Sequence, residues 1–151
     1  MEVTQFTTTD AADLAHVAQA VLLAARSLPA AEAVVVTLSG DLGAGKTALT
    51  KALATALGVT EVVSSPTFVV MRRYDTTDDR FATLLHMDAY RIESLLELGP
   101  LGFDSCLALP NALFCIEWPE RISAALPARY VAIAAQVLTP GTHQFTLTLH
   151  G

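Results

Sequence analysis

The chain has few charged residues and few cysteines for its length. Only 16% of its 151 residues are charged, and 9 lysines and arginines stand against 15 aspartates and glutamates, which gives a formal net charge of −6. Because proteins that bind nucleic acid usually present a basic face, this balance disfavours direct binding to nucleic acid. Two cysteines, Cys106 and Cys115, cannot build a disulfide framework. Cys115 lies in an apolar run, so we expect a buried thiol there.

The sequence also lacks an apolar run long enough to span a membrane, although its mean hydropathy is +0.46. A spanning helix needs roughly 18 or more consecutive apolar residues, and no stretch approaches that length. The first ten residues are polar and acidic, which is not the pattern of a secretory signal. The sequence shows no repeat, low-complexity tract or linker. The composition therefore predicts one cytoplasmic globular domain over residues 1–151, large enough for a hydrophobic core.

A glycine-rich segment is the most informative feature that is present. Gly40-Asp41-Leu42-Gly43-Ala44-Gly45-Lys46-Thr47 matches the phosphate-loop pattern G-x-x-x-x-G-K-[ST] at every fixed position. It follows a β-branched apolar run at 34–38 and precedes apolar residues at helical spacing that end at Gly58. The backbone N–H groups of such a loop cradle phosphates. The lysine reaches the β- and γ-phosphates, and the threonine hydroxyl binds Mg²⁺. The segment therefore predicts a nucleotide site that uses Lys46 and Thr47.

The rest of the pattern alternates helices and strands. We expect strands at 3–7, 34–38, 67–74, 81–87 and 113–116 and a closing hairpin of 129–137 and 144–150. Helices are expected after the phosphate loop, at 93–98, and up to about Arg26, the last with Thr8, Thr9 or Asp10 as its N-cap. A polar turn at 75–80 separates two of these strands. The pattern predicts an α/β fold, a single P-loop NTPase-like domain with a central, mostly parallel sheet, antiparallel additions and flanking helices.

Two acidic residues follow apolar strands, where a phosphate-loop enzyme needs a carboxylate. Asp88 follows the run 81–87, and Glu117 follows the run 113–116. Carboxylates at these positions lie at the carboxyl edge of a parallel sheet, beside the phosphate loop. They are suited to hold Mg²⁺ or to orient the nucleophile. The alternative is that each is a solvated acid at the end of a strand.

Four segments together resemble the TsaE (YjeE) family, small bacterial ATPases needed to make threonylcarbamoyladenosine in tRNA. They are Asp41-Leu42-Gly43-Ala44-Gly45-Lys46-Thr47, Ser65-Pro66-Thr67-Phe68, His86-Met87-Asp88-Ala89-Tyr90-Arg91 and Ile116-Glu117-Trp118-Pro119-Glu120. They occur in the family's order and spacing, and the resemblance covers nearly the whole chain. The phosphate loop alone is generic, so the second and fourth segments make the match specific.

The resemblance implies ATP or ADP and Mg²⁺ as cofactors and assigns their binding residues. Catalytic roles fall to Lys46, Asp88 and Glu117, and the metal is held by Thr47 and Glu117. The nucleotide-binding positions are Asp41, Leu42, Gly43, Ala44, Gly45, Lys46, Thr47, Ala48 and Trp118. An ordinary core or rim aromatic is the alternative for Trp118.

Other motif positions carry weaker implications. The segment 65–68 would be a switch near the γ-phosphate, with Thr67 close to Mg²⁺ or water, although Ser-Pro is also a common turn. His86 falls on the same face of its strand as Asp88, yet a hydrogen-bonded structural histidine is the favoured interpretation. Tyr90 and Arg91 are expected to contact a partner or to brace the site.

The resemblance also implies partners, namely TsaD, a transferase subunit, and TsaB, its scaffold. The ATPase would reset their complex between rounds, without binding tRNA tightly by itself. Some positions depart from the family: Ala89 replaces a bulky residue, Glu93 and Glu97 replace a Glu-Glu pair, and residues 140–143 lack an arginine common near the last hairpin turn. These departures leave partner contacts open and the nucleotide positions intact.

The sequence does not exclude two other classes of function. A small nucleotide or metabolite kinase needs an acceptor site and usually an arginine-rich lid, and arginines between Lys46 and Glu117 form no cluster. A binding module gated by ATP without hydrolysis is the second class. Phosphate release from ATP, measured alone, with acceptors and with partners, separates the three.

Overall fold

A mixed β-sheet forms the centre of the computed structural model, which describes residues 2–63 and 71–151. The strands are β1 (Val3–Thr8), β2 (Val34–Ser39), β3 (Met71–Asp75), β4 (Thr83–Asp88), β5 (Ala112–Glu117), β6 (Tyr130–Thr139) and β7 (Thr142–His150). The α-helices are α1 (Ala11–Arg26), α2 (Lys46–Ala56) and α3 (Phe103–Leu107), with 3₁₀ segments at Leu95–Leu98 and Pro119–Ala125.

The sheet confirms the expected fold class. Its strand order is β1-β7-β6-β2-β5-β4-β3. The four central strands β6, β2, β5 and β4 are parallel to one another, while β7 with β1 at one edge and β3 at the other are antiparallel additions. Strands β2 and β5 are buried along almost their whole length, as expected for strands covered on both faces. Cys115, within β5, is the buried thiol that the sequence predicted.

Two hydrophobic clusters, one on each face of the sheet, hold the helices in place. The first contains buried residues of α1 and α2, among them Leu22 and Leu53. The second packs Phe103 of α3 against Phe114 of β5, with ring centroids 5.6 Å apart. Of the three expected N-cap candidates, Asp10 is the one that caps helix α1, because it accepts a hydrogen bond from the backbone N–H of Asp13 at 2.8 Å. Leu38 of β2 and Leu49 of α2 both belong to the first cluster, so its packing holds the start of α2 against the end of β2.

Several element boundaries differ from the sequence-based expectations. Strand β4 starts two residues later than expected, and both β4 and β5 include their terminal acid, so Asp88 and Glu117 are the last residues of the strands. The short helix expected at 93–98 is a 3₁₀ segment at Leu95–Leu98, because Ser94 and Glu97 form a capping box at its start. The strand expected at 67–74 falls partly on residues 64–70, which lie outside the described residues; the described part is β3.

Two helical segments were not predicted at all. Helix α3 spans five residues and the 3₁₀ segment at Pro119–Ala125 seven, and runs this short show no helical periodicity. Across residues 2–63 and 71–151, no helix combines the length and the apolar character needed to cross a membrane.

Candidate phosphate-binding site

The glycine loop joins the end of β2 to the start of α2, as its pattern predicts. Gly40 has φ +139°, and a Cβ there would lie 2.3 Å from the carbonyl oxygen of Ala135 in β6, so only glycine fits this close approach. Gly45, with φ +108°, is the residue that precedes α2. No side chain among the described residues caps this helix start. Its free N–H groups and positive dipole end are therefore available to an anion in front of the loop.

Lys46, the first residue of α2, is buried beside the loop. The residue is only 5% exposed to solvent. Its ammonium group donates to the carbonyl oxygen of Gly40 and lies 3.4 Å from that of Asp41. The same nitrogen lies 4.0 Å from the centre of the Trp118 ring, within the range of a cation–π contact. The one lysine charge at the loop is thus held by loop carbonyls and an aromatic face.

Thr47 and Glu117 meet across the cleft although they are far apart in the sequence. The Thr47 hydroxyl lies 3.3 Å from Oε1 and 3.4 Å from Oε2 of Glu117. Glu117 is 3% exposed, and its Oε2 also contacts Nε2 of His86 at 2.5 Å. The two residues expected to hold Mg²⁺ are therefore adjacent, and the carboxylate of Glu117 also contacts a buried histidine.

Asp88 lies opposite Glu117 in the register of β4 and β5. It is half-buried, and its Oδ1 accepts a hydrogen bond from the N–H of Tyr90 at 2.9 Å. Burial raises the pKa of the Asp88 carboxyl above its usual value, the Tyr90 N–H opposes this shift, and the negative charge of Glu117 raises the pKa further. A carboxylate with a raised pKa is a better proton acceptor than a solvated one.

Trp118 stands at the entrance of the cleft in an unusual backbone conformation. Its φ is +59°, in the left-handed region that a bulky side chain rarely adopts. The ring lies 5.0 Å from that of Tyr90, and the guanidinium of Arg121 lies 5.6 Å from the centre of the Tyr90 ring. Two aromatic rings thus connect the buried Lys46 to an exposed arginine at the rim.

His143 belongs to the site, although sequence reasoning did not assign it there. Its Nδ1 lies 2.9 Å from the carbonyl oxygen of Ala44, and because a carbonyl only accepts, Nδ1 donates. The hairpin of β6 and β7 places His143 beside Gly45, where an added Cβ would lie 3.5 Å from Nδ1. The sequence carried one signal near this residue, the lack of an arginine in residues 140–143. It could not place His143 at the loop, because strand order cannot be read from the sequence.

These groups surround one cleft of about 580 Å³. Its lining residues are Leu42, Gly43, Ala44, Gly45, Lys46, Thr47, Ala48, Asp88, Tyr90, Glu117, Trp118 and His143. All sequence-predicted positions are therefore brought together except Asp41, which lines a separate pocket with Val137 on the other side of the loop. Thr67 and its motif lie outside the described residues. A second pocket of about 340 Å³ adjoins the cleft at Gly45, Ala48 and His143.

The oxygen atoms of the cleft suit a magnesium ion that retains other ligands. No group of three or more histidine, cysteine or acidic side chains converges to hold a metal in the part of the chain that is described. Mg²⁺ is usually bound by one or two carboxylates together with water and substrate phosphates. The neighbouring hydroxyl of Thr47 and carboxylate of Glu117 fit that pattern, so the residues present fit the implied metal.

Comparison with known proteins agrees with this geometry. The family model described as threonylcarbamoyl adenosine biosynthesis protein TsaE matches residues 8–144. A Treponema pallidum protein named tRNA threonylcarbamoyladenosine biosynthesis protein TsaE is 39% identical over 116 residues, which cover 77% of this chain and 82% of that protein. A Bacillus subtilis protein of the same name is 38% identical over 117 residues, covering 78% and 70% respectively.

Solved structures give the same answer at the level of the fold. The crystal structure of YdiB from Bacillus subtilis superimposes with a TM-score of 0.76 at 29% identity, over 99% of this chain and 87% of that one. The family model spans most of the chain, and the relatives share more than a third of their aligned residues with it. The chain belongs to the TsaE family.

Proposed function

We propose that this protein binds ATP with Mg²⁺ and hydrolyses it as a component of threonylcarbamoyladenosine biosynthesis in tRNA. The observation that carries the proposal is the contact between Thr47, at the end of the glycine loop, and Glu117, at the end of β5. This contact brings a phosphate cradle and a metal-binding carboxylate into one cleft. The names of the related proteins support the pathway.

Nucleotide binding follows from the groups around the loop. The free N–H groups at the start of α2 receive the phosphates, and the Lys46 ammonium leaves the Gly40 carbonyl to contact them. Because Lys46 and Glu117 lie near Trp118, the terminal phosphate occupies that end of the cleft. The nucleoside then extends the other way, toward the pocket beside His143.

Hydrolysis needs charge neutralisation and an oriented water. Thr47 and Glu117 would hold Mg²⁺, which would supply positive charge at the phosphates. Asp88, beside Glu117, orients the attacking water and accepts its proton. The raised pKa of Asp88 favours this role.

The proposed activity is slow without partners. None of the described residues that line the cleft is an arginine, and a trans-acting arginine is worth about 10³–10⁵ in rate in other phosphate-loop enzymes. We therefore propose that the TsaB–TsaD pair completes the site and that ATP hydrolysis drives the cycle of that pair in the cytoplasm. The exposed Tyr90 and Arg121 at the rim lie where a partner can reach them.

The test is steady-state phosphate release by the chain alone, with TsaB and TsaD, and with candidate phosphate acceptors. We expect slow release alone, clear acceleration by the pair, and no effect of acceptors. The Lys46→Ala variant serves as the blank, and Lys51→Ala, which changes an exposed lysine on the same helix, is the matched control. Phosphorylation of an acceptor would indicate a kinase. Tight ATP binding with no release of phosphate under any of these conditions would indicate a binding module.

A further inference from the structure

One buried side chain at the site has no role in the chemistry described above. We propose that His86 is a positioning residue that fixes the Glu117 carboxylate in the orientation needed for metal binding. The inference rests on the proposed function, because it concerns the Mg²⁺ that accompanies the nucleotide. It assigns to His86 more than the structural role that its sequence pattern favours.

Within residues 2–63 and 71–151, the contact between His86 and Glu117 is the shortest polar contact of the Glu117 carboxylate. Nε2 of His86 lies 2.5 Å from Oε2 of Glu117, whereas the Thr47 hydroxyl lies at 3.3 and 3.4 Å from the two carboxylate oxygens. A carboxylate oxygen only accepts, so Nε2 carries the proton and donates. Hydrogen bonds to charged acceptors strengthen as they shorten. His86, rather than Thr47, therefore determines how the carboxylate is turned.

The surroundings of His86 hold its imidazole ring in one position. The residue is 0% exposed, and it lies in β4 with neighbouring strands on both sides. Its register partner in β5 is Cys115, two residues before Glu117. Its other ring nitrogen, Nδ1, is buried and has no hydrogen-bond partner among the described residues. The ring thus has one strong polar contact, and that contact is with Glu117.

The arrangement leaves one carboxylate oxygen for the cleft. Oε2 contacts His86, while Oε1, among the described residues, has only the longer contact with Thr47. Glu117 is itself nearly buried, and a buried carboxylate without a partner is costly. If the residue at 86 could not reach Oε2, the carboxylate would turn to find another donor, and Oε1 would leave the place where it faces Thr47.

The expected effect is on metal affinity and not on the phosphate cradle. Loss of a side chain that orients a metal ligand typically costs about 10- to 100-fold in metal affinity. Among the described residues, His86 makes no hydrogen bond to the loop or to Lys46, so nucleotide binding without Mg²⁺ should be unchanged. A histidine that only stabilised the core would not separate these two quantities.

The experiment compares two amide substitutions that differ in reach. In His86→Gln the amide nitrogen extends about as far as Nε2, and in His86→Asn it reaches only about as far as Nδ1. ATP affinity is measured by calorimetric titration in EDTA and over a series of Mg²⁺ concentrations. We expect His86→Asn to bind ATP normally in EDTA and to need at least tenfold more Mg²⁺ than the parent, with His86→Gln within about threefold of the parent.

Equal Mg²⁺ dependence of the parent and His86→Asn would overturn the inference, and so would an equal loss in both variants. If the parent itself binds no nucleotide, the proposed function fails first, and this inference fails with it. The two failures are therefore distinguishable from the parent titration alone.

A second measurement needs no variant and covers the case in which His86→Asn does not fold. Of the four histidines, only His86 is fully buried, so an imidazole N–H that exchanges slowly with water in a ¹⁵N spectrum belongs to it. We expect this signal to come from Nε2 and to shift when Mg²⁺ is added to the ATP-bound protein. A signal that does not respond to Mg²⁺, or that comes from Nδ1, would contradict the proposal.

Discussion

The Lys46→Ala substitution tests the phosphate site most directly. Lys46 is the one lysine at the glycine loop, and the second lysine of the chain, Lys51, is exposed further along α2. A charge-assisted contact of this ammonium with a phosphate contributes about 3 kcal/mol at most. The loss on substitution is smaller, because the ammonium already has partners in this structure.

Those partners set the size of the expected effect. To reach a phosphate, Lys46 gives up the carbonyl oxygen of Gly40 and the face of the Trp118 ring. A cation–π contact that is partly shielded from water contributes about 1 kcal/mol. Subtracting this from about 3 kcal/mol leaves about 2 kcal/mol, or roughly a thirtyfold loss of ATP affinity.

Calorimetric titration with ATP in the presence of Mg²⁺ measures this loss, and thermal unfolding shows whether the variant is folded. Lys46 is buried against Trp118, so Lys46→Met, which keeps the apolar stem and removes the charge, separates packing from electrostatics. We expect both variants to lose affinity and Lys51→Ala to match the parent. A folded Lys46→Ala protein with the parent's ATP affinity would refute the phosphate-loop assignment.

Three further predictions concern the acids and the net charge. Glu117→Ala and Asp88→Ala should each nearly abolish partner-stimulated hydrolysis, and Glu117→Ala should also weaken the Mg²⁺ dependence of ATP binding; Asp104→Ala, on the surface of α3, is the control for both. The Arg26 guanidinium lowers the pKa of Asp78 from 3.8 to about 2. Because that pKa is lower in the folded state, the ion pair stabilises the fold above pH 3.8 and loses its effect as the pH falls toward about 2. Urea unfolding of Asp78→Asn should therefore show a weaker pH dependence over that acid range. Finally, the chain alone should not retard tRNA in a gel at submicromolar protein and physiological salt; salt-sensitive retardation would contradict the inference from its net charge of −6.

The sequence predicted the parts of the site that depend on local pattern. The glycine loop needs positive φ at Gly40, Gly43 and Gly45, and a glycine at each such position is visible in the sequence. Asp88 and Glu117 were expected at one sheet edge because parallel strands end together. The register of β4 and β5 places them side by side, which supports that reasoning about position.

The parts that depend on tertiary contacts could not be predicted. His143 reaches the loop only because β6 pairs with β2 and carries β7 beside it. The short bond from His86 to Glu117 requires the register of β4 and β5. The left-handed backbone of Trp118 is fixed by its surroundings, including a hydrogen bond from its N–H to Leu38 at 3.2 Å, and no local preference for this residue type indicates it.

The position of β2 in the sheet also determines when the phosphate site can form. Both strands that pair with β2, namely β5 and β6, come from the second half of the chain. During synthesis, the apolar run of β2 therefore leaves the ribosome well before the strands that will cover its edges. Pairings between strands so distant in sequence close large loops and form slowly, and an uncovered apolar strand is prone to aggregation. The proposed ATP binding should accordingly be among the last properties acquired during folding, since Glu117, His143 and both neighbours of β2 must be in place first.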